Sequence, residues 1–228
     1  YLVKPLPADE LKARVGAILR RRFWGVAEAA AEGSPPAAAP KAQIAQLLVQ
    51  LADLISPGAA NRSFQVVSAA QWLAENLGMR PEERPHLDLA AQLHEIGKAG
   101  LPPRLARSRS TPLPRQDFET FRAYAAVSHV LLRNIDLFEH PAVLIRHLFE
   151  NWDGSGVPDH LHQGRIPLGS RILRLLVDFF DDLDAVSNPA ARKKTLETLQ
   201  SRMALLYDPA VFLALLQYVQ HHLDASLA

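Results

Sequence analysis

Apolar residues recur at the three- and four-residue spacing of an amphipathic helix through most of this sequence, and proline and glycine separate the stretches that show it. Such a pattern favours helices packed on helices, because a sheet would need strands with alternating apolar residues. We therefore expect an all-α bundle. Its predicted helices cover residues 42–55, 62–77, 87–96, 118–135, 142–152, 168–183, 190–206 and 210–223.

Composition limits the possible partners and metal ligands. The 25 lysines and arginines nearly balance the 24 aspartates and glutamates, so no overall field would draw the chain to nucleic acid or to an acidic membrane. With no cysteine present, only histidine and carboxylate side chains remain as metal ligands. No apolar run reaches the roughly 20 residues of a membrane helix, and we expect a cytoplasmic protein.

The first 22 residues, YLVKPLPADELKARVGAILRRR, read as a short buried strand followed by an amphipathic helix. They resemble the last strand and helix of a response-regulator receiver domain, and the resemblance gives Lys4 the role of contacting a phosphorylated aspartate. The strands that would carry that aspartate are not in this chain, so we expect an incomplete receiver region, which would meet a cognate histidine kinase. The alternative is an ordinary strand–helix connection.

The sequence predicts three segments. Residues 1–22 form the receiver remnant. Residues 23–40 contain the run AEGSPPAAAP and read as a linker, because small residues and a proline pair cannot build a packed core. The main helical domain is expected over residues 41–228.

Two motifs carry the functional signal. The first, AAQLHEIGKAGLPPRL, places His94 and Glu95 at the end of an apolar helix. The second, ENWDGSGVPDHLHQGRIPLGSRILRLLVDFFDDL, begins with a glycine-rich turn and leads through Ile166-Pro167 into another helix. Neighbouring residues on a helix point about 100° apart, so His94 and Glu95 can share one metal most easily where the helix ends.

In this order and spacing, the two motifs resemble the HD-GYP family. The resemblance implies an HD helical bundle, and members of that family cleave cyclic dinucleotides with a cluster of two or three iron-type metals. The family's tyrosine is replaced by Val157 in the glycine-rich turn, whereas Asp153, Gly154, Gly156 and Pro158 are retained.

The positions at which the resemblance expects metal ligands are mostly changed. Only His94, Glu95 and, after a shift of one residue, Asp178 keep a ligand-type side chain. The other family ligand positions hold Arg62, Tyr124, Leu148, Phe149 and, without the shift, Val177.

These replacements predict a site without metal chemistry. Arg62 would add a fixed positive charge where the family places a cation, and it has only hydrogen-bond donors to offer. Leu148 and Phe149 would fill the pocket and keep it dry. Because a catalytic metal needs about three protein ligands, we expect no metal cofactor. The alternative is iron or another divalent transition metal held weakly by His94, Glu95 and Asp178.

Further residues are candidates for holding a ligand. Lys98 and Arg171 match family positions that face phosphates, and Arg104 is a third basic candidate, although each would serve equally well in a salt bridge. Asp153 and Gly154 belong to the retained turn. His147 is expected to be a neighbour of the pocket, and the alternative is that it rotates toward the pocket as a ligand. The acidic group of Asp181, Asp182 and Asp184 is expected to be a solvated face.

Three functions remain open. We favour a response-regulator output domain that lacks phosphodiesterase activity and works through contact with a signalling protein or a second copy of the chain, in which His94, Glu95 and Lys98 are vestiges of a catalytic site. The second is a metal-dependent cyclic di-GMP phosphodiesterase with a reduced metal site. The third is a domain that binds a cyclic dinucleotide without cleaving it.

Overall fold

The computed structural model describes residues 39–109, 113–181 and 187–224, and the predicted receiver remnant and nearly all of the predicted linker lie outside these ranges. Within the described residues the chain is helical and contains no strand, so the predicted all-α bundle is confirmed. The α helices are α1 Ala39–Ile55, α2 Ala59–Asn76, α3 Arg84–Leu93, α4 Pro103–Ala106, α5 Arg115–Phe121, α6 Tyr124–Leu132, α7 Glu139–Arg146, α8 Leu168–Phe180, α9 Pro189–Gln200 and α10 Pro209–Val219. Short 3₁₀ turns cover Ile96–Gly100, Asp136–Phe138 and Gln163–Arg165.

The helix α2 lies at the centre of the bundle and packs against α1, α3, α8 and α10. Its inward face carries Ala69, Ala70 and Ala74, which are fully buried, so neighbouring helices can approach its backbone closely. Leu73 on the same face and Leu173 of α8 are also fully buried. This packing holds the start of α2 beside the end of α3, where the functional candidates lie.

Prolines and capping side chains mark where several helices begin. Proline stands in the first turn of α3, α4, α9 and α10, where its missing N–H costs no hydrogen bond. The side chains of Asn188 and Asp208 accept hydrogen bonds from the first amides of α9 and α10. These signals were readable in the sequence, and the predicted starts of both helices agree with the structure to within one residue.

Several predicted helices were wrong in extent. The predicted helix over 118–135 is two helices, because the chain makes a tight turn at Arg122 and Ala123 that no proline or glycine announces. The predicted helix over 142–152 ends at Arg146. Beyond it, the amides of Trp152 and Asp153 donate to the carbonyls of Leu206 and Leu205, so this backbone pairs with a distant loop instead of continuing a helix.

The same pairing shortens the predicted helix over 190–206, which ends at Gln200. Ala204 in the following turn has a φ of 64° and its amide donates to the Tyr207 carbonyl. None of the helices in the described ranges is long and apolar enough to cross a membrane.

Candidate functional site

The site predicted from the first motif is built around a buried ion pair between Arg62 and Glu95. Arg62 lies in the first turns of α2, and Glu95 follows the end of α3. Arg62 Nε donates to Glu95 Oε1 at 2.8 Å, and Arg62 Nη2 donates to Glu95 Oε2 at 2.7 Å. Both side chains are buried. The guanidinium group therefore meets the carboxylate with two parallel hydrogen bonds, the strongest geometry for such a pair.

The remaining donors of Arg62 are also used locally. Its Nη2 donates to Ser56 Oγ at 2.8 Å, and its Nη1 donates to the Pro57 carbonyl at 3.3 Å. Residues 56 and 57 form the turn between α1 and α2, so this turn, α2 and the end of α3 are tied together by one side chain. Arg62 is thus held firmly in the position where the family resemblance expects a metal ligand.

Lys98 adds a second cation to the same carboxylate. Its Nζ lies 3.1 Å from Glu95 Oε1, and the side chain is only 2% exposed. The ammonium group also lies over the rings of Phe121 and Tyr124, at 5.2 and 5.6 Å from their centroids. Lys98 therefore faces inward, toward Glu95, rather than toward a ligand at the surface.

The charges around Glu95 fix its ionisation state. Burial alone would raise its pKa, but the hydrogen bonds from Arg62 and the positive charge of Lys98 lower the pKa to about 2. Glu95 is therefore ionised at every ordinary pH. Burial lowers the pKa of Lys98, although Glu95 and Asp181 oppose that shift.

His94 is buried next to this group. Its Nδ1 lies 2.8 Å from the Ala91 carbonyl, and because a carbonyl only accepts, Nδ1 carries the proton in the neutral ring. Nε2 lies 3.9 Å from Glu95 Oε1. Burial lowers the pKa of His94, so the ring is neutral.

The other family ligand positions hold groups packed into the core. Tyr124, Leu148 and Phe149 are all buried, and the rings of Tyr124 and Phe149 meet edge to face at 5.4 Å between centroids. Burial and nearby carboxylates raise the pKa of Tyr124 well above its ordinary value, so the phenol keeps its proton. None of these three side chains presents a lone pair of the kind that binds a transition metal at neutral pH.

Asp178 is engaged within its own helix and by a neighbouring loop. Arg174 Nη1 donates to Asp178 Oδ1 at 3.1 Å, and the hydroxyl of Tyr207 donates to Asp178 Oδ2 at 2.6 Å. Val177, the alternative position, is buried in the apolar core. The two contacts give Asp178 a structural role between α8 and the loop before α10.

The prediction of a solvated acidic face at residues 181–184 is wrong for Asp181, which is buried. Burial acts to lower the pKa of Arg62 and Lys98 and to raise that of Tyr124, and the charge of Asp181 acts to raise the pKa of all three. Asp182 and Asp184 lie outside the described residues.

Sequence reasoning also missed the part played by Arg174, which is buried one helical turn before Asp178. Residues 174, 178 and 181 are spaced by four and three positions, which places them on one face of α8. This spacing was the signal in the sequence from which the shared face of Arg174, Asp178 and Asp181 could have been predicted.

These residues do not fit the metal cluster that the family implies. A divalent ion near Glu95 would have to displace Arg62 from both carboxylate oxygens and would stand beside two fixed cations, Arg62 and Lys98. His94 is one nitrogen ligand, short of the three protein ligands that a catalytic ion needs.

The remaining ligand-binding candidates have structural partners. Arg171 donates to the Ile166 carbonyl at 2.9 Å and to Asp208 Oδ2 at 2.5 Å. Arg104 forms an exposed two-bond pair with Asp117. Asp153 accepts from the amide and hydroxyl of Ser155, and Gly154 follows with a φ of 86°. Their roles in binding a ligand stay predictions.

A cleft of ≈ 220 Å³ opens beside Phe149. It combines positive charge with aromatic surface and was not predicted. Its lining includes Phe118, Arg122, Phe149, Asn151, Arg174, Asp178 and Arg202.

Comparison with known proteins places this arrangement in a family. The signature of the HD domain family matches residues 46–211. A cyclic di-GMP phosphodiesterase of Thermotoga maritima is 29% identical over 153 residues, which are 64% of this chain and 40% of that protein. The cyclic di-GMP phosphodiesterase response regulator RpfG of Xanthomonas campestris pv. campestris is 28% identical over 95% of this chain and 61% of its own length. The chain thus spans about half the length of these relatives.

Solved structures agree on the fold. A cyclic GMP-AMP-specific phosphodiesterase of Vibrio cholerae superposes with a TM-score of 0.59 and 17% identity, covering 78% of this chain and 49% of that one. An HDGYP protein of Bdellovibrio bacteriovorus gives a TM-score of 0.59 at 13% identity, covering 79% and 63%. Since the family signature spans most of the sequence and the helical bundle matches these structures, the chain belongs to the HD domain family.

Proposed function

We propose that this domain works in cyclic-dinucleotide signalling without hydrolysing the dinucleotide, as an output domain that acts through protein contacts. Its partner would be a signalling protein or a second copy of the chain. The region before residue 23 would be the end of a receiver domain, phosphorylated by a cognate histidine kinase. The names of the relatives support the signalling context, since one is a response regulator and both are cyclic di-GMP phosphodiesterases.

One observation carries the loss of activity: Arg62 donates to both oxygens of Glu95 within hydrogen-bond distance and away from solvent. In a metal-dependent phosphodiesterase, a carboxylate at this place gives its lone pairs to an ion that activates water. Here a guanidinium group takes both oxygens and cannot activate water, because it remains protonated. The negative charge of Glu95 is thus neutralised by an arginine of the same chain.

The packing around the pair supports the same conclusion. Leu148, Phe149 and Tyr124 are buried together. A nucleophilic water and a phosphodiester would need the space and the polar contacts that these apolar groups exclude.

The cleft beside Phe149 favours a second candidate function, the binding of a cyclic dinucleotide without cleavage. Arg122, Arg174 and Arg202 line it together with two aromatic rings, a combination that suits phosphates and bases. Arg174 Nε is buried and has no hydrogen-bond partner within the part of the chain that the structure describes. A phosphate oxygen would satisfy that donor.

The test is hydrolysis of cyclic di-GMP by the purified chain, supplied in turn with Fe²⁺ and Mn²⁺ under anaerobic conditions. We expect the rate of the wild-type protein to equal that of the His94→Ala variant. Turnover that the His94→Ala substitution abolishes would overturn the proposal.

Titration calorimetry with cyclic di-GMP separates the two candidates. No binding at micromolar concentrations is expected if the domain acts through protein contacts alone. The alternative outcome is tight binding that is weakened by Arg202→Ala and unchanged by the exposed control Arg80→Ala. That outcome would favour ligand sensing over protein contact.

A further inference from the structure

Three potential metal ligands come together at the end of α7, in a group that uses none of the residues around Glu95. They are His147, which directly follows the helix, Glu150 in the next turn, and Asp159 in the returning loop. One donor atom from each residue lies within 4.8 Å of the other two. His147 Nδ1 is 3.6 Å from Glu150 Oε1 and 3.6 Å from Asp159 Oδ2.

The imidazole of His147 points a buried nitrogen into this group without a hydrogen bond. His147 is 9% exposed, and its Nδ1 has no hydrogen-bond partner within the part of the chain that the structure describes. Buried polar atoms are nearly always satisfied, so an orphaned nitrogen facing two carboxylates indicates a missing partner. A cation would fill that place, and the two carboxylates would attract it.

Backbone contacts hold the carboxylate of Glu150 in position. The amides of Asp159 and Leu161 donate to the two oxygens of Glu150 at 2.7 and 3.1 Å. Gly156 lets the returning loop lie against Glu150, because a Cβ at that position would lie 2.2 Å from the Asn151 nitrogen. Ligands oriented in this way bind a metal with little loss of freedom.

We propose that His147, Glu150 and Asp159 form a binding site for Zn²⁺ or a similar divalent transition ion. Nitrogen and carboxylate oxygen atoms bind zinc at about 2.0–2.2 Å in a tetrahedron, which places neighbouring ligand atoms about 3.4 Å apart. The two separations of 3.6 Å from His147 Nδ1 require only a small contraction, and the two carboxylate oxygens lie within 4.8 Å of each other. Asp159 is exposed, so the fourth position opens to water.

The metal ion would compete with Arg146 for the carboxylate of Asp159. Arg146 donates to Asp159 Oδ1 at 2.6 Å and to Oδ2 at 3.1 Å. Metal binding therefore displaces Arg146 from at least one oxygen, and the ion ties the end of α7 to the returning loop. The site goes beyond the proposed function and does not depend on it.

Calorimetric titration of the metal-stripped protein with Zn²⁺ tests the site, and Co²⁺ supplies a visible absorption band that reports tetrahedral coordination. We expect one ion per chain, with affinity lowered about tenfold or more in Glu150→Gln and in His147→Ala. The control His140→Ala removes an exposed histidine on the same helix and should bind as the wild type does. Arg146→Gln should tighten binding by about fivefold, because it removes a competing charge.

The proposal would be overturned if the wild type and His147→Ala bound Zn²⁺ with the same affinity. It would also be overturned if Arg146→Gln did not bind Zn²⁺ more tightly than the wild type. Circular dichroism of each variant shows whether it is folded, and His147→Gln replaces His147→Ala if the latter is not. If the bound metal were lost in His94→Ala instead, that result would contradict the proposed function. The metal site and the proposed function can therefore fail independently.

Discussion

Arg62 and Glu95 meet through two hydrogen bonds of 2.8 and 2.7 Å, although 33 positions separate them in the sequence. The pair connects the start of α2 with the end of α3 and stands where relatives of this fold are expected to hold metal. Its positive partner is permanent, since a guanidinium group does not lose its proton in a protein. Under the proposed function, Arg62 supplies a covalently attached charge at the place where the family resemblance implies a removable ion.

Arg62→Ala should destabilise the fold severely, because it leaves the buried Glu95 with one partner fewer. Removing one member of a buried ion pair costs about 3–5 kcal/mol. The control is Arg104→Ala, which breaks an equally well-formed pair with Asp117 at the surface. Urea denaturation should show a large drop in midpoint for the first variant and almost none for the second. Equal small losses would contradict a buried pair.

The stability of the protein should fall in acid through the protonation of Glu95. Its pKa is about 2 in the folded chain, below the ordinary value of 4.5, so the stabilisation is complete above the unfolded pKa and is lost as the pH falls toward the folded one. At about pH 3.5 the loss from this group is on the order of 1 kcal/mol. Glu95→Gln lacks this group, so the difference in unfolding free energy between wild type and variant should narrow as the pH falls from neutral. A constant difference would contradict the lowered pKa.

Gly97→Ala should prevent close packing between the turn after Glu95 and α6. A Cβ at Gly97 would lie 2.0 Å from the Tyr124 carbonyl oxygen and 2.5 Å from the Ser128 nitrogen, which are backbone atoms that cannot swing away. We expect a loss of about 3 kcal/mol in unfolding free energy. Gly164→Ala is the matched control, because nothing lies within 4 Å of its added Cβ. A Gly97→Ala protein as stable as the control would show that the turn does not contact α6 so closely.

Asp178→Asn should destabilise the protein more than Tyr207→Phe does. The asparagine leaves the charge of the buried Arg174 less compensated, at about 2 kcal/mol, whereas the phenylalanine removes one hydrogen bond worth about 1 kcal/mol. Denaturation of both variants measures their unfolding free energies, and the loss should be larger for Asp178→Asn than for Tyr207→Phe. If Asp178 were a metal ligand instead, Asp178→Asn would change the bound metal and leave the apo-protein unaffected.

The helical fold was predictable because it is set by local periodicity and by prolines at helix starts, which the sequence displays directly. The early end of α7 was not predictable, because the backbone beyond it pairs with residues far along the chain, such as Leu206. The break at Arg122 was missed because no proline or glycine marks it. The motif resemblance identified the positions of Arg62 and Glu95, and the expectation of a fixed charge there agrees with the geometry. It could not reveal that Lys98 turns inward, since a lysine in that position suits a phosphate and a buried ion pair equally well.

The burial of Asp181 was missed for a related reason. A run of aspartates at a helix end is typical of a solvated surface, and only the four- and three-residue spacing from Arg174 and Asp178 indicated otherwise. The group of His147, Glu150 and Asp159 depends on a loop that returns over α7, which no local pattern announces.

The central claim is that Arg62 occupies the place of a catalytic metal at Glu95. It is tested most directly by measuring the iron and manganese content of the wild-type protein and of Glu95→Gln after reconstitution with each metal and gel filtration. We predict the same content in both, with any bound ion removed by His147→Ala. Two ions per wild-type chain that are lost in Glu95→Gln would contradict the account.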